Sequence, residues 1–205
     1  SDWIVAHGLS KTEFYRSFRV LNEPILVPNA STHWLRASRW SRRGLAQWLD
    51  DQVHIDNGQH DGHLKVFFNF TLRDFWDQNA AGNRMNINVH IRGGSHALGT
   101  LEGRSVPAVF SDIDWAPFII LGDAGMANHF HRHDETHITL VHGAKVWFLA
   151  PPGTSAREFE AHRTHPCAWL EEPARAALQA SGELPSKLKV CVQRAGEALW
   201  FPPMW

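Results

Sequence analysis

The sequence predicts a mainly β protein, a sandwich or barrel with its helices gathered at the N-terminal side, and three observations carry that prediction. From Met85 onward the chain is a series of short strand-like runs, "MNINVHI", "PFIILG", "HITLVHG", "KVWFLAPP", "LKVCVQ" and "ALWFPP", parted by Gly and Pro turns. The three helices read from the sequence, at about Lys11, Ser41 and Thr71, collect at the N-terminal side. Strands and helices do not alternate as βαβ units require, and no internal repeat or low-complexity segment interrupts the pattern. A chain of 205 residues can bury one sizeable core, so a single domain over 1–205 is expected, helical from about 1 to 80 with a β core from about 85 to 205.

The elements follow in order. In "LSKTEFYRSF", Ser10 reads as an N-cap with Glu13 three residues on, and Leu9, Phe14 and Phe18 fall at staple and i, i+4 spacing, which predicts a helix from about Lys11 to Arg19. "EPILVPNA" is a short β-type run between prolines and suits an edge strand. A second helix starts at Ser41 and runs through "RRGLAQWLDD", with Leu45, Trp48 and Leu49 on one face. Thr71 and Asp74 in "TLRDFWDQ" signal a third, short helix. Beyond it come the strands, with "HITLVHG" and "KVWFLAPP" around one Gly turn and "LKVCVQ" and "ALWFPP" around "RAGE".

Composition excludes several classes. With 43% hydrophobic and 20% charged residues the chain is a folding, globular one. The formal net charge of -1, with no basic run longer than Arg42–Arg43, argues against a nucleic-acid partner. No apolar run nears the ~20 residues that span a bilayer as a helix. Cys167 and Cys191 allow one bridge or two free thiols, too few for a disulfide framework. The sequons at Asn29 ("NAS") and Asn69 ("NFT") matter only in a secretory compartment. The start at Ser1 and the hydrophobic ending "WFPPMW" read as a chain cut at both ends. A P-loop, a dinucleotide fingerprint, a nucleophile elbow and a Cys/His protease pattern are all missing from the sequence.

One stretch carries chemistry. "HFHRHDETH", residues 129 to 137, holds four histidines at odd positions. On an extended strand His129, His131 and His133 project to one side, ~6.5 to 7 Å apart pair by pair, so neighbours can grip one ion; on a helix the same spacing points them apart. Imidazoles suit Fe(II), Zn, Cu or Ni, and a site with two or three such ligands keeps positions open for substrate. A solvated polar strand and turn satisfies the same spacing. The remaining histidines, such as His7, His54, His60 and His63, read as surface or loop residues.

From Phe118 onward the order of motifs resembles a Jumonji-C (JmjC) domain of the cupin type. A strand ending in a Gly turn ("IILGDAG") precedes the ligand segment "HFHRHD"; a G-x-K turn and aromatic strand ("ITLVHGAKVWFLAPPG") and a final acidic turn and "fP..W" strand ("CVQRAGEALWFPPMW") follow. The N-terminal "LSKTEFYRSFRVLNEPILVPNAS" is similar to the family's first helix and strand, and the likeness is weakest from about Trp34 to Val106. The resemblance implies a double-stranded β-helix (cupin or jelly roll) with N-terminal helices, and Fe(II)- and 2-oxoglutarate-dependent oxygenase chemistry of the protein hydroxylase type. It implies His131 as the first metal ligand and places His133 where the family carries an acidic second ligand. It places the third ligand just beyond Trp205. Lys145 looks like the lysine that pairs with the distal carboxylate of 2-oxoglutarate, and Asn128 stands where some relatives bond the same co-substrate. Trp147, Phe148, Trp200 and Phe201 read as core.

The imidazole in place of a carboxylate weakens the hold on a hard ion. Two functions therefore stay open: an oxygenase with a protein substrate, and a catalytically inactive JmjC-like scaffold or subunit of a larger assembly, for which ten tryptophans offer contacts. A cupin holding Zn or Cu without 2-oxoglutarate is a third. The resemblance implies a lean towards the endoplasmic reticulum lumen, with which the sequons are compatible.

Overall fold

A computed structural model describes residues 4–5, 7–30, 40–49, 53–60, 63–83, 85–91, 107–113, 118–126, 130–154, 170–182, 184, 185 and 187–205. Its elements in chain order are β1 (Ile4–Val5), α1 (Lys11–Phe14) continued by a π-helical turn (Tyr15–Arg19), β2 (Ile25–Val27), α2 (Arg42–Leu49), β3 (Val53–His60), β4 (His63–Phe70), α3 (Leu72–Ala80), β5 (Asn86–Ile91), a 3₁₀ turn (Ala108–Phe110), β6 (Phe118–Gly122), β7 (Thr136–Thr139), β8 (Ala144–Leu149), α4 (Glu172–Ala180), β9 (Lys189–Arg194) and β10 (Ala198–Phe201). The architecture is mainly β, in largely antiparallel sheets of order β1-β2-β10-β7, β4-β3-β5-β6 and β8-β9.

The helices start where side chains satisfy their orphan N–H groups. Ser10 accepts from Glu13 N at 3.2 Å, Ser41 accepts from Gly44 N at 3.1 Å, and Thr71 and Asp74 form a reciprocal capping box.

Strand alternation then builds the core in layers. In β2 and β10, Ile25, Val27, Ala198 and Trp200 face one way and meet Phe14, Phe18 and Phe110. Phe14 is set edge-on to Trp200, with ring centroids 4.9 Å apart at 87°, and to Phe110, at 5.1 Å and 72°. Leu26, Leu199 and Phe201 face the other way and meet Leu149, Cys191, Trp205 and the half-buried Trp147. The first sheet is thus buried on both sides, between the α1 segment and the β8-β9 pair. The far side of β8-β9, with Phe148 and Val190, packs on Leu178 of α4 and on Leu184 and Leu188. Gln193 is fully buried yet satisfied: its side chain accepts from the Trp147 indole at 2.9 Å and donates to the carbonyls of Ile138 at 2.7 Å and Glu197 at 2.9 Å.

Several sequence expectations need correction. β2 is not an edge: β1 pairs with it on one side and β10 on the other. The strands on either side of the Gly143 turn and of the "RAGE" turn are not partners. β7 pairs with β10 and β8 with β9, so the turns at Gly143 (φ 78°) and Gly196 (φ 92°) carry the chain from one sheet to another. The N-terminal segment is not wholly helical, because β3 and β4 form an antiparallel pair inside it; His54, His60 and His63 lie in those strands. The helix α4, with proline in its first turn, had no counterpart in the sequence reading.

Candidate metal site

The segment before β7 holds the site. Residues 130–135 are irregular, not the strand that the histidine spacing suggested, and β7 begins only at Thr136. The two histidines nevertheless meet. His131 Nε2 and His133 Nε2 lie 2.6 Å apart, with ring centroids at 4.4 Å. His131 is exposed and His133 half-buried, its ring 5.8 Å from that of Phe201 on the interior side of the first sheet. The His133 carbonyl accepts from Met204 N at 3.0 Å, which ties the pair to the segment that follows β10. Burial, then the charges of His131 and Lys145, hold the His133 pKa below the usual imidazole value, favouring the neutral, ligating form.

Lys145 shares its face of β8 with Trp147 and Leu149, towards the same interior. Its ammonium sits 3.9 Å from the Trp147 ring centroid, and burial lowers its pKa to about 8. Asn128 and His129 lie outside the described residues, as does Cys167. Cys191 is buried, has no disulfide partner among the described residues, and has its thiol pushed up to about 11 by burial.

The two carboxylates of the nonapeptide do not join the pair. Asp134 is exposed. Glu135 turns to the α1 side, where it accepts from Arg19 Nη2 at 2.8 Å and from the Trp200 indole at 3.2 Å. His137 faces that side too, opposite Trp200 in the ladder, with its ring 5.2 Å from Phe110; burial drives its pKa down to about 4. Among the described residues, no group of three or more His, Cys, Asp or Glu is placed to hold a metal ion. The role of Glu135 escaped the sequence reading, since its partner Arg19 lies 116 positions away. A separate cavity of about 490 Å³, lined in part by Arg42, Phe75, Trp76, Asn79 and Asp123, has none of these residues in its wall.

No family model matches the chain. Among curated proteins it is 34% identical over 101 residues to human JmjC domain-containing protein 8, covering 48% of this chain and 36% of that protein. The mouse protein of the same name is 32% identical over 108 residues, covering 48% and 38%. The chain is related to the JmjC domain proteins. The matched segments take up less than two fifths of those relatives' own length. A JmjC relationship agrees with the mainly β, largely antiparallel architecture above and implies a cupin-like fold. No helix among the described residues is long and apolar enough to cross a membrane.

Proposed function

We propose that this chain is a JmjC-type Fe(II)- and 2-oxoglutarate-dependent oxygenase domain that hydroxylates a protein side chain. The convergence of His131 Nε2 and His133 Nε2 on one point, 2.6 Å apart, carries the reading. Two imidazoles on one ion at ~2.0 to 2.1 Å each stand about 3 Å apart, so a small rotation of either ring turns the hydrogen-bonded pair into a chelating one. The donor set fits a borderline divalent ion.

In this reading the third ligand follows Trp205. The bond from Met204 N to the His133 carbonyl supports it, because it runs the chain after β10 alongside the pair. Lys145 pairs with the distal carboxylate of 2-oxoglutarate, a charge-assisted bond in a half-buried setting, and Trp147 walls its ammonium from solvent. Asn128 supplies a further bond to the co-substrate. With dioxygen as oxidant, the bound metal and co-substrate would supply the oxidation of a C–H bond; the protein would orient them and exclude water. A protein substrate draws support from exposed Val20, Leu21 and Met204.

One observation favours a second reading, an inactive scaffold or a subunit of a larger assembly. Glu135, the half-buried carboxylate next to the pair, has both oxygens committed to Arg19 and Trp200, leaving the pair with imidazole donors alone. A cupin holding Zn or Cu without 2-oxoglutarate draws on the same imidazole-only donor set. Metal content and 2-oxoglutarate binding, on protein extended past Trp205 and prepared without chelator, separate the three. Stoichiometric iron with co-substrate, both lost in His131→Ala, is the expected result. Zinc or copper without co-substrate supports the simple cupin, and an empty site supports the scaffold.

A further inference from the structure

The histidine pair sits in backbone that belongs to no β-ladder, so something other than a sheet must aim it. Among the described residues, two contacts anchor it. One is the backbone bond from Met204 N to the His133 carbonyl at 3.0 Å. The other is Glu135, two residues past His133, whose Oε2 is held by Arg19 at 2.8 Å and whose Oε1 is held by the buried Trp200 indole at 3.2 Å. With both oxygens bonded, the carboxylate has one orientation.

Arg19 is itself placed by an unusual device. The helix that starts at Lys11 widens after Phe14 into a π-helical turn, with i to i+5 bonds from Val20 N to the Tyr15 carbonyl at 3.2 Å and from Glu23 N to the Phe18 carbonyl at 3.3 Å. The wider turn rotates Arg19 away from the direction α geometry would give it, and such turns recur at functional sites. The guanidinium lies 4.9 Å from the Tyr15 ring centroid, which limits its freedom further.

We infer that Glu135, clamped between Arg19 and Trp200, is a positioning residue that aims the His131–His133 pair; its role in metal binding rests on the reading proposed above. The clamp makes the N-terminal helix a working part of a site formed more than a hundred residues later. It also keeps the nearest half-buried carboxylate turned away from the imidazoles. Outer partners of this kind change metal affinity about 10- to 100-fold when removed.

The test compares the full chain with Arg19→Ala, Arg19→Lys and Glu135→Gln, each checked for native circular dichroism. Arg19 is partly exposed, with 37% of its side-chain surface accessible, so its replacement leaves the core intact. Two readouts are taken: the ring ¹⁵N resonances of His131 and His133 in metal-free protein, and Co(II) titration followed by visible absorption. Arg19→Ala and Glu135→Gln should shift or broaden the ring resonances, weaken Co(II) about 10-fold or more and alter its spectrum, and Arg19→Lys should recover part of both. Wild-type ring resonances in Arg19→Ala and Glu135→Gln overturn the inference, whether or not cobalt binds. So does tighter cobalt binding in Arg19→Ala, which would make Glu135 a ligand held in reserve. A wild-type chain that takes up no cobalt, with ring resonances that still respond to the clamp, defeats the metal reading and leaves the positioning role standing.

Discussion

His133 and His137 are four residues apart and lie on opposite sides of the first sheet. His133 reaches the interior side, near Phe201, and meets a second imidazole. His137 reaches the opposite side, where its ring lies 5.2 Å from that of Phe110. Both are held below the usual imidazole pKa, but at His133 burial is joined by the electrostatic influence of His131 and Lys145, with Asp134 opposing, whereas burial alone acts on His137. Residue type and depressed pKa therefore do not tell the two histidines apart; convergence on a second donor does.

Substitutions can break this contrast, and the largest effect belongs to the pair. His131→Ala should cost at least ~100-fold in divalent-metal affinity by calorimetric titration. The same change should move the unfolding free energy by less than about 0.5 kcal/mol, because His131 is exposed. Equal metal binding in the variant would reduce the pair to a hydrogen bond.

Acid should act most strongly through the other histidine, the more deeply buried of the two. The folded pKa of His137 is about 4, below the ordinary value of 6.5, so between these the unfolded state binds more protons than the folded one. Stability is then complete above pH 6.5 and falls as the pH drops towards 4, by up to about 3 kcal/mol from this group. Urea unfolding across that window checks it, and His137→Phe should flatten the profile while leaving metal affinity unchanged. An unaltered slope in His137→Phe would place the acid sensitivity elsewhere. His137→Ala, by contrast, should cost about 2 kcal/mol at neutral pH through the cavity left beside Phe110. A fall in metal affinity in that variant would join the two histidines into one site.

The sequence showed what local chemistry controls. Ser10, Ser41 and the Thr71–Asp74 box announced three helix starts, and Gly and Pro punctuation bounded the strands from Asn86 to Phe201. It concealed what is set across distance. The partner of Thr139 is Ala198, and no turn signal encodes that choice; the shared burial of Leu199, Phe201 and Leu26 makes it. β3, "VHIDNGQH", lacks the alternation of a half-buried strand, carries Gly58 and has a register shift between Ile55 and Asn57, so its local signal is weak. The histidine pair was legible as a cluster, but the backbone that forms it was not, because Met204 and Arg19 anchor it from far along the chain.

The smallest expected effect sharpens the contrast from the co-substrate side. Burial lowers the Lys145 pKa to about 8, so at neutral pH the folded chain carries a charge it has partly taken out of water. The ring of Trp147 at 3.9 Å offsets some of that cost. Lys145→Met should therefore stabilise the chain by about 1 kcal/mol below pH 8, and the gain should vanish as the pH rises past about 10.5, above which both states are neutral. If the interior beside His133 holds a dicarboxylate, the same substitution abolishes 2-oxoglutarate binding, measured by calorimetry on metal-loaded protein. Stability gained and binding lost together would identify a lysine whose burial is tolerated for a ligand. Stability gained with binding unchanged would remove Lys145 from the site and leave the histidine pair to act without it.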